Sequence, residues 1–280
     1  MKFYKYHALG NDYIVIDPKT SAFKPTPRAI ERICHRNFGV GSDGILYGPL
    51  ISGKAIGLRI FNPDGSEAEK SGNGIRIFSR YLLEAGYVRE RRFKLHTLGG
   101  EVQVELLEPD GRLLKVDMGE VTFDSDRIPV GGTRREVIDE AVQFNALTCR
   151  MTCVSVGNPH CVIPMDSISK ESALALGPTV ENHPLFPNRI NLQLLRVIDR
   201  KNIQIEIWER GAGYTLASGS SSCAAACAAH KLGIVDSSVS VHMPGGTLEI
   251  EIRPDGHVYQ QGSVSSVAAG DLSEEFVRSL

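Results

Sequence analysis

Six cysteines in 280 residues form no C-x-x-C pair, which speaks against a zinc ribbon or a redox dithiol. Cys34, Cys149, Cys153, Cys161, Cys223 and Cys227 are read instead as free, core-filling thiols in a reducing compartment. Charge of one sign is equally lacking. With 31 Lys+Arg against 33 Asp+Glu the formal net charge is −2, and no basic stripe offers a surface to nucleic acid. No apolar run approaches the roughly 20 residues of a membrane span. The opening stretch "MKFYKYHALGNDYIVID" has no signal-peptide hydrophobic region. The expectation is a cytoplasmic protein with neither membrane nor nucleic-acid partners. There is no P-loop. "GVGSDG" at 39–44 satisfies G-x-G-x-x-G in form, but a helical segment precedes it and "ILYG" follows, the reverse of a dinucleotide site. No cofactor and no metal site is expected.

What is present is a soluble globular composition, 42% hydrophobic and 23% charged, carrying a long-range repeat. "GND" at Gly10 has a counterpart in "GNPH" at Gly157, 147 positions on, and "EKSGNG" around Ser71 has one in "LASGSS" around Ser218 at the same offset. "HTLGGEVQVEL" from His96 resembles "HMPGGTLEIEI" from His242, and each serine is followed 15 residues later by a glycine, Gly86 and Gly233. Two related halves follow, with a ligand cleft expected between them. Helical spacing of Ile75, Phe78, Tyr81, Leu82 and Ala85 predicts a helix over 71–85 that Gly86 stops. "SSSCAAACAAHKL" is small and apolar nearly all round, predicting an enclosed helix over 218–232. Segments 101–107, 113–118, 203–208 and 247–252 alternate as strands, and 26–37 reads as an additional surface helix. The class is α+β: two pseudo-symmetric, sheet-rich domains, each wrapped around a central helix.

The two serines sit where helices begin. Amides just after them (Gly72 and Asn73, Gly219 and Ser220) lack intrahelical partners and suit a carboxylate or phosphate. Plain N-capping accounts for a serine at either start taken alone; two related starts in one chain suggest one shared site. Polar residues also stand out in loop-like motifs of both halves: Asn11, Asn62, Asn158, His160, Asn191, Glu209 and Arg210. Singly, each Asn reads as a turn residue, each Arg as a surface charge and His160 as a structural histidine.

Together, "HALGNDYIVID", "FNPDGSEAEKSGNGIRIFSRYL", "SVGNPHCV", "FPNRIN" and "ERGAGYTLASGSSSCAAA" resemble the diaminopimelate epimerase family along essentially the whole chain. The resemblance implies a pyridoxal-phosphate-independent epimerase of two domains. These would be residues 1–120, with the tail 265–280 packing back on them, and 121–264, assembled as a homodimer. It implies inversion at the α carbon of LL-diaminopimelate to the meso form, a lysine and cell-wall precursor step. Asn11, Asn62, Asn158, Asn191, Glu209 and Arg210 match substrate contacts, and the amides of Gly72, Asn73, Gly219 and Ser220 match a carboxylate cradle. Ser71 and Ser218 match the two acid/base positions, and His160 and Glu209 the polar groups that assist them.

One departure touches the chemistry. The family's two acid/base positions are cysteines, and here both are serine; Ser221 also stands where glycine is common in the family. A thiol titrates near about 8.5, whereas a serine hydroxyl lies nearer water at about 15.7, a gap of roughly 7 units or about 10 kcal/mol. Two further readings therefore stay open: an amino-acid-binding relative without turnover, and a serine-dependent lyase, dehydratase or hydrolase on the same scaffold. No nucleophile-elbow motif surrounds either serine, which ranks the last reading lowest.

Overall fold

The computed structural model describes residues 1–145 and 147–280. The chain opens with β1 (Lys2–Ala8), β2 (Asn11–Ile16), α1 (Pro27–Cys34), β3 (Ile45–Ser52), β4 (Ala55–Phe61) and β5 (Glu67–Ala68). Then come α2 (Gly72–Glu84), β6 (Arg92–Thr97), β7 (Gly100–Leu106) and β8 (Leu113–Glu120). β9 (Glu140–Phe144), β10 (Leu147–Ser155), β11 (Pro159–Pro164), α3 (Lys170–Glu181), β12 (Asn191–Asp199), β13 (Asn202–Glu209) and β14 (Gly213–Thr215) follow. The remainder is α4 (Gly219–Lys231), β15 (Ser238–Met243), β16 (Gly246–Ile252), β17 (His257–Ser263), β18 (Ser265–Asp271) and α5 (Glu274–Arg278). The result is a sheet-rich α+β chain of two compact units, Met1–Val116 with Gly262–Leu280, and Asp117–Gln261.

In the first unit β1 is flanked by antiparallel β2 and β18, with Tyr4 opposite Val15 on one side and Ala269 on the other. β2 continues into a parallel pair with β3, Ile14 against Ile45. A strand in that position is covered on both faces and reads as continuous apolar sequence; Asp12 to Ile16 are accordingly all buried. Ile14 and Ile16 pack with Ile30 and Ile33 of α1. Side chains alternate along a strand, so Tyr13 and Val15 face the other way, where α2 lies on β1, β2 and β3.

In the second unit parallel β11 and β12 place His160 beside Asn191, and β13 pairs antiparallel with β12. α4 packs on β10, β11, β12, β13, β15 and β16. Cys223 to Ala229 are all buried; a helix with strands on most sides has room only for small residues, which explains the run of alanine, serine and cysteine.

Both central helices are 13 residues long and begin one position after their serine. Ser71 (φ −140°, ψ 115°) and Ser218 (φ −145°, ψ 127°) are the N-caps, each accepting an amide bond from the third residue on. Gly86 and Gly233 end the two turns at φ +75° and +74°, the left-handed region that favours glycine. The surface helix expected over 26–37 is α1, shorter and with four buried residues, Ala29, Ile30, Ile33 and Cys34.

Sequence periodicity gave no sign of α3, and two residues explain why. Pro178 sits inside it, and Gly177 is required by close approach: a Cβ there would stand 2.2 Å from Trp208 Cδ2. The helix is held instead by a reciprocal Ser169–Ser172 cap and by Trp208 Nε1 donating to Glu181 Oε2 at 2.7 Å.

Candidate active site

Each serine caps the most enclosed helix of its unit, and each lies in a hydrogen-bond network of its own. Ser71 Oγ accepts from Gly74 N at 3.0 Å and lies 3.2 Å from the Tyr13 hydroxyl. Behind them runs a polar chain with a charge at either end. The Arg76 guanidinium, wholly buried, donates to Asn73 Oδ1 at 2.7 Å. Asn73 Nδ2 donates to Asn11 Oδ1 at 3.0 Å, and Asn11 Nδ2 to Asp43 Oδ2 at 2.9 Å. A cation at one end and a carboxylate at the other leave both amides a single orientation. Arg36 closes the outer end, reaching Asp43 Oδ1 at 2.6 Å and Asp12 Oδ1 at 2.7 Å, with Lys5 Nζ 2.9 Å from Asp12 Oδ2. Burial favours the neutral form of Asp12, but the bonds from Arg36 and Lys5 outweigh it and hold its carboxyl below the usual range. Asn62 stands apart in its own turn, bonded to Ser66 Oγ at 3.0 Å.

Around Ser218 the groups are mostly neutral. Its hydroxyl lies 3.5 Å from Ser220 Oγ and accepts from Ser221 N at 3.4 Å. Ser220 Oγ meets Asn158 Nδ2 at 3.4 Å, and Asn158 Oδ1 lies 2.9 Å from His160 Nε2. On its other side His160 Nδ1 is 3.2 Å from Gln193 Oε1, while Gln193 Nε2 donates to Ser221 Oγ at 3.0 Å. His160 therefore reaches Ser218 through Asn158 and Ser220. Full burial pushes the His160 imidazole down to about 3, the Gln193 bond opposing and the Arg210 charge adding to the effect. The ring is neutral at pH 7 and has one N–H to give; half a turn of the Asn158 amide serves the other nitrogen.

Asn191, the strand neighbour of His160, donates to Pro159 O at 2.7 Å and accepts from Arg210 N at 2.9 Å. Arg210 also reaches Asn188 O at 3.1 Å, and Glu209 Oε2 accepts from Thr215 Oγ1 at 3.3 Å. A Cβ on Gly219 would stand 2.3 Å from Oε1 of the buried Gln260 side chain, which would have to shift to admit it.

The structure thus brings Ser71, Gly72, Asn73 and Asn11 together in the first unit. In the second it gathers Ser218, Gly219, Ser220, Asn158, His160, Asn191 and Arg210, with Glu209 next in chain to Arg210. Sequence reasoning missed three participants, Tyr13, Arg76 and Gln193, and marked Ser221 only as a departure from the family's glycine. Of the three only Tyr13 carried a signal, lying two residues after Asn11 on one strand and so on the same face. Ser221 holds Gln193, which gives its hydroxyl a task that glycine cannot perform. Among the described residues no group of three or more His, Cys, Asp or Glu side chains could hold a metal ion, and no helix is long and apolar enough to cross a membrane. A hollow of about 530 Å³ beside Pro164 and Leu195 lies at the far ends of β11 and β12 from His160 and Asn191.

This architecture has solved counterparts. A probable proline racemase from Agrobacterium radiobacter K84, with bound carbonate, superposes with a TM-score of 0.72 at 14% identity, covering 98% of this chain and 93% of that one. A hydroxyproline epimerase from Agrobacterium vitis, with bound trans-4-hydroxy-L-proline, gives 0.71 at 14% identity over 97% and 90%. At such identity the likeness is one of fold, and the class it defines is an architectural one. Sequence narrows the class. The diaminopimelate epimerase family model matches residues 3–123 and 152–267. The chain is 57% identical to diaminopimelate epimerase 2 of Nostoc sp. over 98% of its own length and 96% of the relative's. It is 41% identical to diaminopimelate epimerase of Moorella thermoacetica over 97% and 99%. The chain belongs to the diaminopimelate epimerase family.

Proposed function

We propose that the chain is a cofactor-independent isomerase that interconverts LL- and meso-diaminopimelate, on the route to lysine and cell-wall precursors. One observation carries this: two 13-residue helices with matched serine caps, in a chain 57% identical over 98% of its length to a diaminopimelate epimerase of Nostoc sp.. Inversion at Cα needs one group to take a proton and another to return one to the opposite face. Each unit supplies one capped helix start for one of those tasks, Ser71 and Ser218. The amides of Gly72, Asn73, Gly219 and Ser220 are assigned to the substrate carboxylate, which the positive ends of the helices favour. Asn11, Asn62, Asn158, Asn191, Glu209 and Arg210 are assigned to the rest of the amino acid. Glu209 and His160 assist at Ser218, His160 by way of Asn158 and Ser220. Residues 1–120 with 265–280, and 121–264, are taken as the halves of an internal duplication, and the working form as a cytoplasmic homodimer.

A second reading, a diaminopimelate-binding relative without turnover, is favoured by one feature of the site: neither a serine hydroxyl nor an imidazole held near 3 is a strong base at pH 7. One experiment separates the two. LL- and meso-diaminopimelate are incubated with the protein in D₂O and followed by NMR at Cα and by chiral chromatography. Deuterium incorporation with inversion is the expected result. Saturable binding without exchange leaves the second reading standing, and neither binding nor exchange sinks both.

A further inference from the structure

The Tyr13 contact is absent from every role assigned above. The Tyr13 side chain is 7% exposed and its hydroxyl lies 3.2 Å from Ser71 Oγ. Its ring is pinned by the backbone behind it: a Cβ on Gly44 would stand 2.7 Å from Tyr13 Cε1 and 2.5 Å from Phe61 O, so only glycine lets the ring lie there. Tyr13 is opposite Tyr6 in the β1–β2 ladder, which fixes the face from which the phenol reaches the helix start. Ser71 Oγ already accepts the Gly74 amide, and a hydroxyl has a proton and a second lone pair left over. A hydroxyl in that position can pass a proton between the phenol and a group in front of it. Ser218 has no such arrangement, since its hydroxyl bonds run to Ser220 Oγ and Ser221 N.

Resting on the epimerase reading, we infer that Tyr13 is the positioning and proton-holding partner of Ser71, so that the first unit's acid/base group is a Tyr13–Ser71 pair and not the serine alone. In the protonating direction the Cα carbanion forms its new C–H bond with the Ser71 hydroxyl proton. Ser71 Oγ takes the Tyr13 proton in the same event, and the negative charge ends as a Tyr13 phenolate. In the reverse direction the phenolate draws the Ser71 proton while Ser71 takes the Cα proton, and the C–H electron pair stays on the carbanion. The charge thus rests on a group that ordinarily titrates near about 10, roughly 6 units below water. The positive end of α2 lies beside it and favours the anion. The two directions need opposite states of Tyr13. The direction that protonates Cα through Ser71 needs the neutral phenol and loses rate as pH rises through the phenol range; the direction that deprotonates Cα needs the phenolate and gains rate there.

The test compares wild type, Tyr13→Phe and protein with ring-fluorinated tyrosine at position 13, all as the full chain, measuring kcat and KM in both directions across pH. Tyr13→Phe keeps the ring against Gly44 and is expected to lower kcat about 10²-fold or more with KM little changed, and to remove the alkaline limb. The fluorinated ring, a stronger acid of the same shape, is expected to keep the rate and move that limb to lower pH, which a purely structural role for the phenol cannot produce. If wild type turns over while Tyr13→Phe keeps its rate and pH profile, the Tyr13 assignment alone is overturned. If wild type neither exchanges nor inverts diaminopimelate, the assignment falls together with the epimerase reading.

Discussion

The two helix starts share length, cap residue, cap angles and terminating glycine, yet they differ in what stands behind the serine. Behind Ser71 are a phenol and a chain that begins on a buried guanidinium and ends on a carboxylate. Behind Ser218 is a chain of hydroxyls, amides and one neutral imidazole. A helix cap constrains three residues and leaves their surroundings free, so identical backbones can carry one charged and one neutral environment. In a two-sided proton transfer that asymmetry has a use: the two groups must differ in protonation state when substrate binds and again when product leaves.

The largest expected effect breaks the asymmetry from the weak side. Ser218→Cys places a group titrating at about 8.5 among neutral hydroxyls and amides. It is expected to raise kcat by about 10²–10⁴-fold, measured by Cα deuterium exchange. Ser71→Cys is expected to raise it less, because Tyr13 already serves that side; equal gains break the comparison. Next comes acid stability. An unfolded histidine titrates near about 6.5, and His160 is held at about 3. Between those values the unfolded chain binds a proton that the folded chain refuses, so stability falls as pH drops below about 6.5 and levels off near 3. Roughly 3 kcal/mol of this falls between pH 7 and 4, at about 1.36 kcal/mol per unit. Urea unfolding of His160→Gln is expected to lack that loss. Asp12 adds a later one: its carboxyl is depressed, so its contribution stands above the unfolded value of about 3.9 and fades as pH falls through the folded one. The second unit's network therefore fails first on acidification.

Arg76→Met tests the charged chain. Asn73 Oδ1 loses the bond from the guanidinium inside the protein, at a cost of about 1–3 kcal/mol, and the two asparagine amides lose their fixed sense, which should appear as a raised KM. The smallest effects compare the caps themselves. The Ser71 capping bond is 3.0 Å and that of Ser218 is 3.4 Å. Ser71→Ala is expected to cost about 1 kcal/mol and Ser218→Ala about half that, read from denaturation midpoints.

Much of the skeleton was legible in sequence because its signals are local. Ser71 and Gly86 bracket one helix and Ser218 and Gly233 the other, and periodicity placed the alternating strands within a residue or two. What escaped depends on tertiary contact. Tyr13 meets Ser71 across 58 residues, and Gln193 meets Ser221 across 28. Arg76 reads as a surface charge because nothing in "NGIRIF" shows that the whole first turn is enclosed. His160 was legible as a polar residue in a loop-like motif, but its neutrality follows from burial that only the folded strands impose.

The first strand has a partner that comes late. β1 bonds along its length to β18, Lys2 opposite Asp271, whereas residues 117–261 form their unit without a break in the chain. During synthesis, at about 5–20 residues per second, strand β1 emerges tens of seconds before β18 exists. The second unit has all its residues by then, and closing so long a loop adds little entropy beyond that of a moderate one. Birth order and completion order are therefore inverted, and the half of the protein that is translated first is the half that is finished last.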